Sequence, residues 1–162
     1  AASHLLDKNT QNLFAIPLIL RALPQARIVC LRRDPMDACF SNLKELFQGG
    51  AYSYSYTQEE LAGHCLRAQR WMEHWQAAAP HAVRVVDYEA LVQAPDTTAG
   101  GLLDFLGLPL QAGLEDIARN RAPVATASSS QVREGVHARA IGAWKRYADR
   151  LQPLRERLGA QA

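Results

Sequence analysis

The chain contains no glycine-rich phosphate loop: Gly49-Gly50 and Gly100-Gly101 lack the neighbouring Lys and Ser/Thr that such a cradle needs. No apolar run approaches the roughly 20 residues of a membrane-spanning helix, and the N-terminus does not read as a signal peptide. Cysteine is scarce. Cys30, Cys39 and Cys65 are odd in number and lack metal-ligand spacing, which suits buried thiols in a reducing compartment. A soluble, cytoplasmic protein is therefore expected. Net charge is also missing: 18 Lys+Arg against 16 Asp+Glu leave +2, too little to argue for a nucleic-acid partner. No carboxylate pattern for Mg²⁺ appears, which disfavours a kinase-like phosphotransferase, and no metal site is read.

What is present is a chain of 162 residues, enough for one domain with a core, and free of internal repeats. Its most informative stretch runs from Arg27 to Ser41. The apolar run Ile28 to Leu31 ends in Arg32-Arg33 and then in Asp34-Pro35, an N-cap and first-turn pair that starts a helix. A strand end facing a helix N-terminus, with cations beside it, is where α/β folds hold phosphate. Ser41 follows Asp34 by seven residues, about two helical turns, so Arg33 and Ser41 are candidates to converge on one anion.

Around this stretch the chain alternates helices and strands. Asn9 or Thr10 caps a helix predicted to reach Leu23, with Pro17 kinking it. The strand spans Arg27 to Arg32, and the helix opened by Asp34-Pro35 is expected to run to Phe47. Tyr52 to Tyr56 reads as an exposed loop rather than a strand, its tyrosines candidates to line a substrate entrance. Thr57-Gln58-Glu59-Glu60 is a capping box, and Leu61, Cys65, Ala68, Met72, Trp75 and Ala79 form a helical stripe read as core-facing. A second strand spans His81 to Asp87, a helix begins at once with Tyr88-Glu89-Ala90-Leu91, and another follows Pro95 and stops at Gly107. Gln111 to Arg119 reads as a short helix. The hydroxyl-rich stretch from Asn120 to Glu134 reads as a linker or, being pinned between helices, as a functional lid. Helices resume from Ala140. This order predicts parallel strands joined by crossovers, an α/β fold.

Arg33 with Ser41, Tyr88 and the serine-rich loop would then meet at the C-terminal edge of the sheet. Cations and hydroxyls suit phosphate, and an aromatic ring suits a nucleobase, where stacking contributes roughly 1–3 kcal/mol per base. The plainer alternatives are that Arg33 pairs with Asp34 or Asp37 and that Tyr88 is a core tyrosine.

Arg33-Asp34-Pro35-Met36-Asp37-Ala38-Cys39-Phe40-Ser41 resembles the 3′-phosphate-binding segment of sulfotransferases, enzymes that take a sulfuryl group from 3′-phosphoadenosine 5′-phosphosulfate (PAPS). Val85-Val86-Asp87-Tyr88-Glu89-Ala90-Leu91 is similar to the strand and Tyr-Glu-x-Leu that follow, and Asp104 to Leu108 to the next helix ending. Ser128 to Arg133 with Ile141 to Tyr147 resembles the C-terminal loop and helix of the tyrosylprotein and bacterial branches. The resemblance implies Arg33 and Ser41 as 3′-phosphate ligands and Tyr88 at the adenosine. It implies Ser128, Ser129 and Arg133 over the nucleotide, and Lys8 as a charge-stabilising catalytic residue. Where a basic residue usually precedes the tryptophan this chain has Ala143, so Lys145 or Arg133 would supply that charge. None of the five histidines sits in a matching motif.

The implied fold is a P-loop-NTPase-like three-layer sandwich with a short parallel sheet between helices. It is read as one partial domain over 1–162: an α/β core (1–119), a nucleotide-covering loop (120–137) and C-terminal helices (138–162). The family's 5′-phosphosulfate loop and the general base after it have no counterpart here, so the chain reads as a C-terminal portion of the domain. The expected function is PAPS binding and, when intact, sulfuryl transfer to a hydroxyl or amine of a small molecule, glycan or peptide. The competing reading is a non-catalytic interaction domain of degenerate sulfotransferase fold, joined to upstream helical repeats.

Overall fold

Ile28, Val29, Val83, Val85 and Val86 are β-branched and favour extended backbone. In the computed structural model, which describes residues 4–45, 47, 50–110 and 137–159, they form the two described strands. These are β1, Ile28–Arg32, and β2, Val83–Asp87, paired in parallel with Ile28 opposite Val83 and Arg32 opposite Asp87. The α/β class expected from the sequence is what the structure shows: a short parallel sheet flanked by helices.

The first helical stretch differs from expectation. A 3₁₀ segment, Thr10–Ala15, precedes a short α1, Ile16–Ala22, with Asn9 Oδ1 accepting the Gln11 N–H at 3.0 Å. Pro17 stands in the first turn of α1, where no intrahelical donor is lost, so it starts the helix instead of kinking it. After β1, Asp34 Oδ1 caps α2, Pro35–Lys44, by accepting the Asp37 N–H at 2.9 Å. α2 stops short of Phe47: Glu45 is extended, and the Asn42 side-chain amide donates to the Ala38 carbonyl at 2.9 Å. Such local side-chain bonding competes with the helical ladder and loosens a last turn.

Gly50–Tyr56 is helical, of 3₁₀ type, instead of a loop, and its tyrosines are engaged in packing. The Tyr54 ring stacks on His64 at 3.6 Å, Tyr52 stacks on Phe47 at 4.6 Å, and the Tyr56 hydroxyl donates to the Phe47 carbonyl at 2.6 Å. None of the three is among the residues lining the cleft at the carboxyl ends of the strands. α3, Gln58–Ala78, begins as predicted, with Thr57 Oγ1 accepting the Glu60 N–H at 3.2 Å. The Glu60 carboxylate reaches the Thr57 hydroxyl, also at 3.2 Å, instead of the backbone amide of a full capping box.

α3 serves two apolar clusters. Leu61, Ala62 and Leu66 pack with Met36 and Cys39 of α2 and with Leu151, Leu154 and Leu158 near the C-terminus. Met72 packs with Ile16, Cys30, Ala79, Ala82 and Val83. Beyond β2, α4, Tyr88–Gln93, leads into α5, Pro95–Leu106. Gly107 ends α5 in left-handed backbone, φ 67°, while the Leu108 N–H donates back to the Leu103 carbonyl at 2.9 Å.

The C-terminal helix predicted from Ala140 is a 3₁₀ segment, Ala143–Leu151, followed by α6, Gln152–Gly159. Gln58 stitches this segment to α3: its Oε1 accepts the Leu154 N–H at 3.2 Å and its Nε2 donates to the Arg150 carbonyl at 3.0 Å. The predicted helix Gln111 to Arg119 and the serine-rich loop lie outside the described residues, as does the boundary drawn at 119/120. No described helix is long and apolar enough to cross a membrane.

Candidate functional site

Arg32 and Arg33 are adjacent, and alternation along a strand sends their side chains to different partners. Arg32 is committed to the sheet. Its Nε and Nη2 grip Asp87 Oδ1 and Oδ2 at 2.6 and 3.1 Å, across the register that sets the two residues side by side. Its Nη1 lies 3.6 Å from Glu73 of α3. The hydrogen bond from Arg32 holds the Asp87 carboxyl below its ordinary range, and the same bond raises the Arg32 guanidinium. Arg32 therefore clamps β1 to β2 and is not an available anion donor.

Arg33 is the other case. Its guanidinium carbon lies 5.0 Å from the centroid of the Tyr88 ring, so the residues that directly follow β1 and β2 meet as a cation–aromatic pair. Nη2 donates to the Ala140 carbonyl at 2.6 Å. Nε is buried and has no hydrogen-bond partner among the described residues. An orphaned guanidinium N–H is an open valence for an acceptor. No described ion pair joins Arg33 to Asp34 or Asp37; Asp34 is occupied in capping α2, and its own N–H donates to Glu89 Oε1 at 2.9 Å.

An open cleft of about 650 Å³ lies at the carboxyl ends of the strands, lined by Arg32, Arg33, Asp34, Asp87 and Glu89 from the sheet edge. Pro35 of α2, Leu66, Gln69, Arg70 and Glu73 of α3 and Leu158 of α6 complete it. Tyr88, Ser41 and Lys145 are not among its lining residues, so Arg33 stands between this cleft and the Tyr88 side.

The remaining predicted residues are placed as follows. Ser41 is half-buried on α2, one turn beyond the buried Asp37 and two turns beyond the cap Asp34. Lys145 is exposed in the C-terminal segment, its side chain passing over Gly142. Lys8 is exposed in the stretch before Thr10 and is not among the cleft-lining residues. Ser128, Ser129 and Arg133 lie outside the described residues. Of the histidines, His64 is held below its ordinary value, first by burial and then by Arg67, while it stacks on Tyr54.

Sequence reasoning missed Asp37 as anything other than a partner for Arg33. It is 2% exposed, and its Oδ2 accepts the Gly142 N–H at 2.6 Å. A charged residue in line with Met36, Cys39 and Leu43 on a core-facing helix was the available signal.

Two comparisons bear on this arrangement. An uncharacterised protein of Aquifex aeolicus is 31% identical over 155 residues, which are 94% of this chain and 20% of that protein. The chain thus spans about a fifth of the length of the curated relative it matches. A family model described as "Sulfotransferase family" matches residues 1–112. That span carries both strand ends, the helices that follow them and the Arg33–Tyr88 pair, and by it the chain belongs to the sulfotransferase family.

Proposed function

We propose that this chain forms the 3′-phosphate and adenosine half of a PAPS site in a sulfotransferase of the bacterial or tyrosylprotein-like branch. The observation that carries the reading is the Arg33 guanidinium held over the Tyr88 ring with a buried Nε that has no hydrogen-bond partner among the described residues. A phosphate oxygen is the acceptor such a donor suits, and a ring beside it suits a nucleoside. The residues present therefore fit the nucleotide. Arg33 and Ser41 would hold the 3′-phosphate, Tyr88 the adenosine, and Lys145 would add positive charge from the C-terminal segment.

When bound, PAPS supplies the sulfuryl group for transfer to a hydroxyl or amine of a small molecule, glycan or peptide. The chain's own contribution is binding and orientation. Arg32 keeps the strand ends in register, Asp34 and Pro35 open α2 and its positive dipole end beside them, and Arg33 provides a fixed cation. In the whole protein the reaction also needs the groups that cradle the phosphosulfate and deprotonate the acceptor, which we assign to residues beyond this chain. Lys8 is the chain's candidate for stabilising charge at the transferred group.

Isothermal titration with adenosine 3′,5′-bisphosphate tests the reading. Wild type is expected to bind. Arg33→Ala is expected to lose about tenfold or more in affinity, the scale of a charge-assisted hydrogen bond. No heat with wild type, or unchanged affinity in Arg33→Ala, would refute it.

A further inference from the structure

A carboxylate removed from water keeps its charge only where donors replace the water it lost. Asp37, 2% exposed in the first turn of α2, finds them at the far end of the chain. Oδ2 accepts the Gly142 N–H at 2.6 Å, and Oδ1 lies 3.5 Å from the Trp144 N–H, a longer and weaker approach. Gly142 presents its N–H from left-handed backbone, φ 70°, which a residue with a Cβ rarely adopts. Two residues earlier, the Ala140 carbonyl accepts Arg33 Nη2 at 2.6 Å. Arg33 and Asp37 thus grip one turn, 140–144, with opposite polarity: a cation on its carbonyl, a carboxylate on its amides. The tilted contact of Phe40 of α2 with Tyr147, 5.1 Å between ring centroids, holds the next turn against the same helix.

We infer that Asp37 is a positioning residue for the nucleotide site. Its carboxylate sets the 140–144 turn, and the Ala140 carbonyl of that turn fixes the rotamer in which Arg33 keeps Nε uncommitted. The inference rests on the nucleotide reading above. It makes a prediction opposite in sign to simple electrostatics. A negative charge near an anion-binding arginine weakens anion binding by Coulomb's law alone, so its removal should tighten binding. If Asp37 positions Arg33, its removal weakens binding.

The test is titration of the 162-residue chain with adenosine 3′,5′-bisphosphate. Asp37→Asn keeps the shape but removes the charge and sets an amide against N–H donors; affinity is expected to fall about ten- to hundredfold. Gly142→Ala disturbs the turn from the other side with the carboxylate intact and is expected to weaken binding similarly. Because both act on one turn, the double variant should be no weaker than the worse single one within about threefold, a non-additive cycle. Unchanged or tighter binding by Asp37→Asn, or losses that multiply, would overturn the inference. If Asp37→Asn does not fold by circular dichroism, Gly142→Ala decides: weaker binding supports the inference and unchanged binding overturns it. If wild type itself does not bind, the nucleotide reading fails, and amide exchange decides the latch separately. Gly142 and Trp144 exchanging at least about tenfold faster in Asp37→Asn supports it; equal rates overturn it.

Discussion

Leu154 is fully buried where α6 meets α2 and α3, and replacing it with alanine tests whether the C-terminal segment belongs to the fold. Three carbons leave the core, each contributing about 0.8 kcal/mol by transfer, or about 2.4 kcal/mol together. The cavity left behind adds about 1–2 kcal/mol where neighbours relax only partly, so Leu154→Ala should destabilise by about 3–4 kcal/mol. Against a domain stability of roughly 5–15 kcal/mol this is a large fraction. The backbone N–H of residue 154 keeps its bond to Gln58, so the change reports on packing rather than on the helix start. Urea unfolding followed by tryptophan fluorescence reads it, since Trp144 packs against the same cluster. With a slope of about 2 kcal/mol/M the midpoint should fall by roughly 1.5–2 M. Leu110→Ala, at a residue 74% exposed, serves as the control and should stay within about 0.5 kcal/mol. A Leu154→Ala loss below about 1 kcal/mol would mean that α6 is not docked on α3, and with it the geometry that joins residues 140–144 to Arg33 and Asp37 would fall.

Two further outcomes follow from the caps and charges. Thr57→Ala removes the oxygen that accepts the Glu60 N–H and should cost about 1 kcal/mol in urea unfolding, with little change in binding; no loss would mean the start of α3 is held by other contacts. The Asp87 carboxyl is lower in the folded chain than its ordinary value of 3.8, so the unfolded chain binds more protons there. Its contribution is complete above 3.8 and is lost as pH falls through the lower folded value. The pair is partly exposed, 36% and 47% for the two side chains, so water screens it to about 0.5–1 kcal/mol. Asp87→Asn should therefore lose that amount at pH 7 and be flatter than wild type as pH falls below about 4; parallel pH profiles would show that the clamp contributes nothing.

Local chemistry made much of this protein readable. Asp34-Pro35, Thr57 and Gly107 act on the nearest turn, and each starts or stops a helix where the sequence placed it. The β-branched runs became the two strands, and Leu61 and Met72 of the predicted stripe are buried on α3, with Ala62 and Leu66 beside it joining the core. Arg33 and Tyr88, each at a strand end, met because parallel strands bring their carboxyl ends to one edge. Position relative to a helix start was less legible: Pro17 reads as a kink until the 3₁₀ segment before it is known.

Tertiary structure alone decided which of two neighbouring arginines is available. The register sets Arg32 against Asp87, while the Arg33 Nε has no hydrogen-bond partner among the described residues. It also decided the role of Asp37, because its partners lie about a hundred residues away in the chain and a side chain's spacing says nothing about donors that distant. Sequence determines what a residue can offer to its own turn. Which distant group accepts the offer is set by packing, here by the C-terminal segment lying across α2 and α3.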